Sequence, residues 1–209
     1  QSVREKELML QEIHHRVKNN LQMVESLIAL HTRGLTDRNV LDQIETIAGR
    51  IGTMSALHST IYRKDGFGRV EMEDYIRFLV GQAQAGRSGS SSIRVEISVE
   101  NIELEISHAL PCGLIIHEAL SNAHRYAFPD GSGGTVRIAL TRTDADQLEL
   151  TIRDNGVGLR NDTGPSADES AGGVGLTLIE ILAQQLNGGV ERTSSGGVSL
   201  RVWFLLTES

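Results

Sequence analysis

The fold is decided by the stretch from His117 to Tyr126, which reads HEALSNAHRY. On a helix, Glu118, Asn122 and Arg125 stand at i, i+4 and i+7 and line one polar face, opposite an apolar face. A carboxylate, an amide oxygen and a cation in one row suit a Mg²⁺-bound triphosphate, with Asn122 as a hard oxygen ligand and Arg125 on phosphate. A solvated polar face is the alternative interpretation of this helix taken alone.

Two glycine-rich segments follow this helix. Asp154-Asn155-Gly156-Val157-Gly158 comes directly after a predicted strand, so that Asp154 can accept a hydrogen bond from an exocyclic amine such as that of adenine. Its glycines let the backbone turn tightly against a planar ligand. Gly172-Gly173-Val174-Gly175-Leu176 opens a predicted helix, whose free N–H groups attract phosphate. Taken singly, the two segments are equally compatible with an ordinary turn and a flexible linker.

The spacing of these motifs excludes two common nucleotide folds. No Gly-Lys-Ser/Thr follows the glycines, as a P-loop requires, and the repeated βαβ unit of a dinucleotide fold is missing. Hydrophobic periodicity instead predicts an α/β sandwich with a mixed, mostly antiparallel sheet. The predicted strands are 93–100, 136–141, 148–153, 190–193 and 198–206, and the predicted helices are 72–84, 109–126 and 174–186.

The first 63 residues have a different character. Apolar residues at helical spacing predict two long helices, from about Arg4 to Thr32 and from about Leu41 to Ile61. Joined by a short turn they form an antiparallel hairpin, which pairs most simply with a second copy as a four-helix bundle. The fold class is therefore α+β. We expect residues 1–66 to form the helical dimerisation hairpin and residues 67–209 the α/β sandwich.

The first predicted helix carries a candidate nucleophile. His15 falls nearly opposite the apolar stripe, and Glu12 and Asn19 share its face. An exposed imidazole between a carboxylate and an amide is suited to proton handling and nucleophilic attack. A solvated histidine is the ordinary alternative, and His14 is interpreted as a structural residue at the rim of the stripe.

Composition excludes several partners. The net charge of −7 disfavours nucleic acid and anionic membranes, which attract basic surfaces. The single cysteine, Cys112, lies among apolar residues and is interpreted as a core residue, which fits a reducing compartment. No apolar run of about 18 residues is present, so we expect a cytoplasmic chain with no membrane segment. The chain begins at Gln1 in a helical pattern, and we expect a sensor domain upstream.

Together, the three motifs resemble the N, G1 and G2 boxes of the GHKL superfamily of ATP-binding domains. The segment from His15 to Leu21, HRVKNNL, resembles the phosphoacceptor box of a histidine-kinase subfamily related to the HWE kinases. The resemblance covers nearly the whole chain. It implies a bacterial sensor histidine kinase of two-component signalling, which uses ATP and Mg²⁺ to phosphorylate His15 and passes the phosphoryl group to a response regulator.

The resemblance also implies roles for single residues. Asn122 would ligate Mg²⁺, Arg125 would take the place of the phosphate-contacting lysine, and Asp154 would bind the adenine amine. The pocket would be shaped by Gly156 and Gly158 at the adenine and by Gly173, Gly175 and Leu176 around the phosphates, with an ATP lid from about Leu159 to Gly172.

The proton acceptor for His15 is open at this point. Glu12 is the candidate from helix geometry, because Arg16 stands where many related kinases carry an acidic residue. Asn19 would position the receiver or a water. Glu118 stands where related ATPases have a general base, so a GHKL ATPase or serine kinase is one alternative function. A non-enzymatic phosphotransfer adaptor is another, although it predicts eroded N, G1 and G2 boxes.

Overall fold

The computed structural model describes residues 2–32, 35–61, 69–85, 93–129, 132–143, 147–158 and 170–206. Two long helices come first: α1 spans Ser2–His31 and α2 spans Arg38–Ile61. Asp37 caps α2, because its Oδ1 accepts hydrogen bonds from the backbone N–H of Asn39 at 2.9 Å and of Val40 at 3.4 Å. The two helices contact each other, as expected for the predicted hairpin.

The second part of the chain is built on a five-stranded sheet. Its strands are β2 (Ile93–Val99), β4 (Gly134–Arg142), β5 (Gln147–Asp154), β6 (Gly189–Ser194) and β7 (Val198–Leu205). They lie in the order β2-β4-β5-β7-β6, with β2 parallel to β4 and every other pair antiparallel. Two shorter strands, β1 (Arg69–Glu71) and β3 (Glu103–Glu105), pair separately.

Three helices pack their apolar faces against the sheet. They are α3 (Met72–Ala85), α4 (Ile106–Asn122) and α5 (Ser170–Gln185), and a π-helical turn, Ala123–Ala127, continues α4. Alternate residues of the central strands are buried beneath them, as period-2 side-chain geometry requires. In β4 these are Val136, Ile138 and Leu140, and in β5 they are Leu148, Leu150 and Ile152.

The predicted architecture is confirmed: a helical region precedes an α/β domain with a mixed, mostly antiparallel sheet. Several bounds were wrong. Helix α4 begins at Ile106, three residues before the predicted start at 109, and its α-helical part ends at Asn122. Helix α5 begins at Ser170, so that its glycines lie inside the helix. The strands β1 and β3 were not predicted, because three residues carry too little alternation.

Some sequence predictions concern residues outside the described ranges. Most of the proposed lid, 159–169, is among them. The domain boundary after residue 66 therefore stays a prediction. No helix in the described ranges is long and apolar enough to cross a bilayer.

The hairpin packs on the α/β part through the second half of α2. Thr53, Ala56 and Leu57 of α2 are buried, and the hydroxyl of Tyr75 in α3 donates to the carbonyl of Thr53 at 3.2 Å. Gly49 lies against the ring of His117 in α4, where an added Cβ would stand 2.2 Å from Cε1. Glycine at this position permits the close approach of α2 to α4.

Two helical glycines give a matched stability test. A Cβ at Gly113 would lie 2.2 Å from the hydroxyl oxygen of the fully buried Tyr75, whereas a Cβ at the exposed Gly81 would meet nothing within 4 Å. We expect Gly113→Ala to lower the free energy of unfolding by about 1–3 kcal/mol through overpacking. Gly81→Ala should raise it by about 0.5–1 kcal/mol through helix propensity. Urea unfolding measures both, and a stable Gly113→Ala variant would contradict the described packing of α3 on α4.

Candidate functional site

A cavity of about 120 Å³ lies between the sheet and helices α4 and α5. All three sequence motifs of the α/β part contribute to it. Its lining is mostly apolar, with a few polar groups, as is usual for small-molecule sites. The lining residues are Ala119, Asn122, Ala123, Tyr126, Ala127, Val136, Ile152, Asp154, Gly158, Leu176, Ile179, Arg192, Val198 and Leu200.

Asp154 supplies a buried carboxylate at the floor of this cavity. It is the last residue of β5 and is 7% exposed. In the described part of the chain, two hydrogen bonds fix it through Oδ1, from the backbone N–H of Gly156 at 2.9 Å and of Val198 at 3.2 Å. These bonds hold the turn after β5 and the start of β7 together.

The turn after Asp154 is hydrogen-bonded to the π-helical turn that continues α4. The backbone N–H of Val157 donates to the carbonyl of Ala127 at 2.9 Å. A Cβ at Gly156 would lie 2.2 Å from the same carbonyl oxygen, so only glycine allows the two segments to approach this closely. Gly158 has a φ of +75°, a left-handed conformation that favours glycine. Both predicted glycines are therefore required by the backbone geometry.

Asn122 forms part of one wall, and Glu118 lies behind it, next to α5. Asn122 lines the cavity, and Glu118, one turn earlier, is 2% exposed. Gly175 of α5 is close to both: a Cβ there would lie 2.9 Å from Glu118 Oε2 and 3.9 Å from the Asn122 amide. The amide, the carboxylate and the start of α5 thus form one polar corner of the site.

Arg125 does not join this corner. The π-helical turn that begins at Ala123 adds residues per turn and rotates the following side chains away from the α-helical row. The guanidinium of Arg125 instead donates to the carbonyl of Asp42, at 2.8 Å, and to the hydroxyl of Thr46, both on α2. The single polar face predicted for α4 is therefore divided between the cavity and the hairpin.

Glu118 is not the solvated residue that its helix pattern allowed. Arg50 of α2 donates to it twice, from Nε to Oε1 at 2.8 Å and from Nη2 to Oε2 at 3.0 Å. The hydrogen bond to Glu118 raises the pKa of Arg50. Sequence analysis did not find Arg50 because its partner is 68 positions away; a cation on the packed side of α2 was the only signal.

Two further residues near the hairpin are buried titratable groups. His117 Nε2 is buried without a hydrogen-bond partner in the described ranges, and burial lowers the pKa of this imidazole. The Cys112 thiol is fully buried, and burial raises its pKa to about 12. The cysteine is a core residue, as its apolar neighbours in the sequence indicated, and is not suited to nucleophilic chemistry.

For the remaining predicted residues, the structure gives the position in a helix but few or no side-chain contacts. Leu176 lines the cavity, and Gly173 lies in the first turn of α5. His15 lies on α1, although its side chain is outside the described part. Glu12 and Asn19 are exposed on the same helix. The Glu12 carboxylate accepts a hydrogen bond from Arg16 Nε at 2.7 Å, an exposed i, i+4 ion pair.

The geometry defines a helical hairpin docked on an ATPase-like α/β sandwich, and family comparison agrees. Residues 12–85 match a family described as histidine kinase, and residues 85–203 match the histidine kinase-like ATPase domain. Together these matches cover most of the chain. The chain belongs to the histidine kinase family.

Individual relatives are similar over most of this chain. Blue-light-activated histidine kinase 2 of Erythrobacter litoralis is 26% identical over 193 residues, covering 90% of this chain and 54% of the relative. Sensor histidine kinase PdtaS of Mycobacterium tuberculosis is 27% identical over 178 residues, covering 85% of this chain and 34% of the relative. The chain thus spans about half the length, or less, of these relatives.

A solved structure has the same fold. The histidine kinase domain of a blue-light activated histidine kinase from Erythrobacter litoralis superposes with a TM-score of 0.67 at 23% identity. The superposition covers 93% of this chain and 92% of that domain, so both the hairpin and the sandwich are included.

The two hydrogen bonds of Asp154 Oδ1 predict different effects of two substitutions. Asp154→Ala leaves the partly buried N–H groups of Gly156 and Val198 without an acceptor and should lower the free energy of unfolding by about 1–3 kcal/mol. Asp154→Asn retains an oxygen for both bonds and should unfold near the wild-type temperature. Thermal unfolding followed by circular dichroism makes the comparison, and equal losses in the two variants would show that Oδ1 is not the structural acceptor.

Proposed function

We propose that the chain is the catalytic core of a sensor histidine kinase that transfers the γ-phosphoryl group of ATP to His15 in the presence of Mg²⁺. The observation that carries the proposal is the cavity in which Asn122, Asp154 and Leu176, from three separate motifs, meet. The family match over the hairpin and the ATPase domain supports it. Phosphohistidine would then serve an aspartate of a response regulator, and the whole exchange requires a cytoplasmic location.

The nucleotide is proposed to lie with its base at Asp154 and its phosphates towards α5. The buried Asp154 carboxylate accepts from the adenine amine, and the apolar walls, such as Ile152 and Leu200, exclude water from the base. Gly158 lets the backbone approach the base, and Gly173 lies in the first turn of α5, where free backbone N–H groups attract phosphate. Gly175, in the second turn, is proposed to leave room for the phosphates because it carries no side chain.

The polar corner fits a magnesium ion with few protein ligands. In the described ranges no group of three or more His, Cys, Asp or Glu side chains is placed to hold a metal. Mg²⁺ is commonly bound through one or two protein oxygens plus substrate phosphates and water, so Asn122 suffices as the protein donor. When bound, the ion neutralises phosphate charge. Arg125 was predicted to contact phosphate, but its contacts with α2 leave that role to be tested.

The chemical step is proposed as an in-line displacement at phosphorus. A neutral imidazole nitrogen of His15 attacks the γ-phosphorus, the bond to the ADP oxygen breaks, and the imidazole proton leaves to an acceptor. Glu12, exposed one turn away on α1, is the proposed acceptor, and Asn19 is the proposed positioning group for the receiver or a water. Catalysis then depends mainly on positioning and charge neutralisation.

The hairpin is proposed to form a homodimer. It exposes large apolar side chains on both helices, among them Met23, Leu27 and Leu30 on α1 and Val40 and Ile47 on α2. Pairing with a second copy in a four-helix bundle would bury such residues. An upstream sensor domain is proposed to act on His15 through α1.

The alternative functions have less support. A GHKL ATPase or serine kinase would use Glu118 as a free general base, whereas Arg50 occupies both of its oxygens here. A non-enzymatic adaptor is disfavoured because the glycine positions and Asp154 retain the geometry that a nucleotide site needs.

Radiolabelling tests the phosphoacceptor. Incubation with γ-labelled ATP and Mg²⁺ should label the wild type, and His15→Ala should lose the label entirely. The phosphoryl group on imidazole nitrogen should be lost in acid and survive alkali. Glu12→Gln should label more slowly if Glu12 accepts the proton.

Other results of the labelling would change the assignment. Label that persists in His15→Ala would move the acceptor to another residue, with His14 the next candidate. An absence of label together with steady phosphate release would favour the ATPase alternative and make Glu118 the residue to study.

Nucleotide binding tests the cavity separately from phosphotransfer. Asp154→Asn should abolish ATP binding in calorimetry, because an amide N–H₂ group replaces the oxygen that accepts the adenine amine. GTP, which presents a carbonyl in place of that amine, is the matched ligand control and should bind neither protein well. Wild-type ATP affinity in Asp154→Asn would overturn the proposed orientation of the base.

A further inference from the structure

One carboxylate in this structure is buried between the two parts of the chain. Glu118 is on α4, and its side chain is 3% exposed. Arg50, from α2 of the hairpin, meets it with a two-pronged hydrogen bond through Nε and Nη2. Such fork geometry is the strongest and most directional form of an arginine–carboxylate pair. The two charges of the pair come from different domains of the proposed kinase: Arg50 from the hairpin and Glu118 from the α/β part.

The same carboxylate lies beside α5, next to residues that line the proposed nucleotide cavity. Its Oε2 would lie 2.9 Å from a Cβ at Gly175, whose position would also be 3.9 Å from the Asn122 amide. Asn122 lines the cavity and Gly175 lies in the second turn of α5, at the proposed phosphate end. The negative charge of Glu118 is therefore close to the place where the proposed ligand carries its own negative charges.

The charges of Glu118 and of the ligand's phosphates decide whether Glu118 favours or opposes binding. Like charges that are close together in a poorly solvated site repel strongly, because little water screens them. A buried carboxylate without a partner is itself costly by several kcal/mol. Arg50 offsets both costs by neutralising Glu118. It can do so only while α2 is packed against α4.

The other charged groups around this contact do not replace Arg50. Arg125 donates to the Asp42 carbonyl and the Thr46 hydroxyl on α2. His117 is next to Glu118, but burial lowers the pKa of its imidazole, which disfavours a second cation there. Among the described residues, Arg50 alone forms an ion pair with Glu118.

We propose that Arg50 is a positioning residue of the nucleotide site that the hairpin contributes. By neutralising Glu118, it allows the phosphate end of the cavity to accept a polyanion. Docking of the hairpin and binding of nucleotide are then positively coupled. Because such coupling is reciprocal, nucleotide binding strengthens the docking of α2 on α4 to the same extent. The inference rests on the proposed ATP site and adds the hairpin as a part of it.

Calorimetry on the full chain with two ligands at constant Mg²⁺ tests the coupling. Arg50→Gln should weaken ATP binding by about tenfold, in the range of common coupling energies. Binding of adenosine, which has the same base without phosphates, should be unchanged. Arg50→Gln combined with Glu118→Gln replaces the charged pair by a neutral one and should restore ATP affinity. Arg77→Gln is the matched control, since Arg77 forms an exposed ion pair with Glu73 on α3, and it should bind both ligands normally.

Each remaining outcome is decisive. Equal weakening of ATP and adenosine in Arg50→Gln would mean that Arg50 is merely structural, and unchanged ATP affinity would also overturn the inference. If Arg50→Gln does not fold, Glu118→Gln alone is used. It leaves an uncompensated cation and should bind ATP more tightly than the wild type with adenosine unchanged; weaker or unchanged ATP binding would count against the coupling. Failure of the wild type to bind ATP would instead contradict the proposed function.

Discussion

The ion pair between Arg50 and Glu118 is the constraint around which the two halves of the chain are arranged. A carboxylate with almost no exposure needs a close partner, and the partner stands on α2. The small size of Gly49 lets α2 approach the ring of His117, so that the guanidinium reaches its target. Helix α4 is consequently shared: one side contacts the hairpin, and the other lines the proposed nucleotide cavity.

The π-helical turn after Asn122 affects which partners the polar residues of α4 and of the turn contact. An unbroken α-helix would keep Arg125 in the row of Glu118 and Asn122, facing the same direction. With the wider turn, Asn122 lines the cavity, while Arg125 contacts α2 at Asp42 and Thr46 and so shares its partner helix with Glu118. Irregular turns of this kind are frequent at functional sites. Here it lets a single helix present polar groups to two different partners.

Local patterns in the sequence were enough for the architecture but not for its long-range contacts. The apolar alternation of β4 and β5 and the spacing of apolar residues in α1 and α2 predict those elements, because each pattern follows from the period of its own backbone. Glu118 could only be described as part of a polar face, since its partner is 68 positions away. The π-helical turn and the strands β1 and β3 leave no comparable periodic signal.

The residues of the candidate site also fall into two groups, those that a local sequence pattern predicts and those that it does not. Asp154, Gly156 and Gly158 were identified because a strand end followed by glycines has a recognisable local chemistry, and the structure places Asp154 and Gly158 at the cavity. Arg192 also lines the cavity, but nothing distinguishes it in the sequence from other charges on an exposed strand. The phosphoacceptor role of His15 rests on its resemblance to a family motif, since helix geometry alone makes it an ordinary surface histidine.

The hydrogen bond between Val157 and Ala127 has a consequence for the cost of binding. Together with the bonds to Asp154 Oδ1, it fixes the wall that is proposed to bind the base before any ligand arrives. A preassembled wall loses little conformational entropy on association, so more of the contact energy remains as affinity.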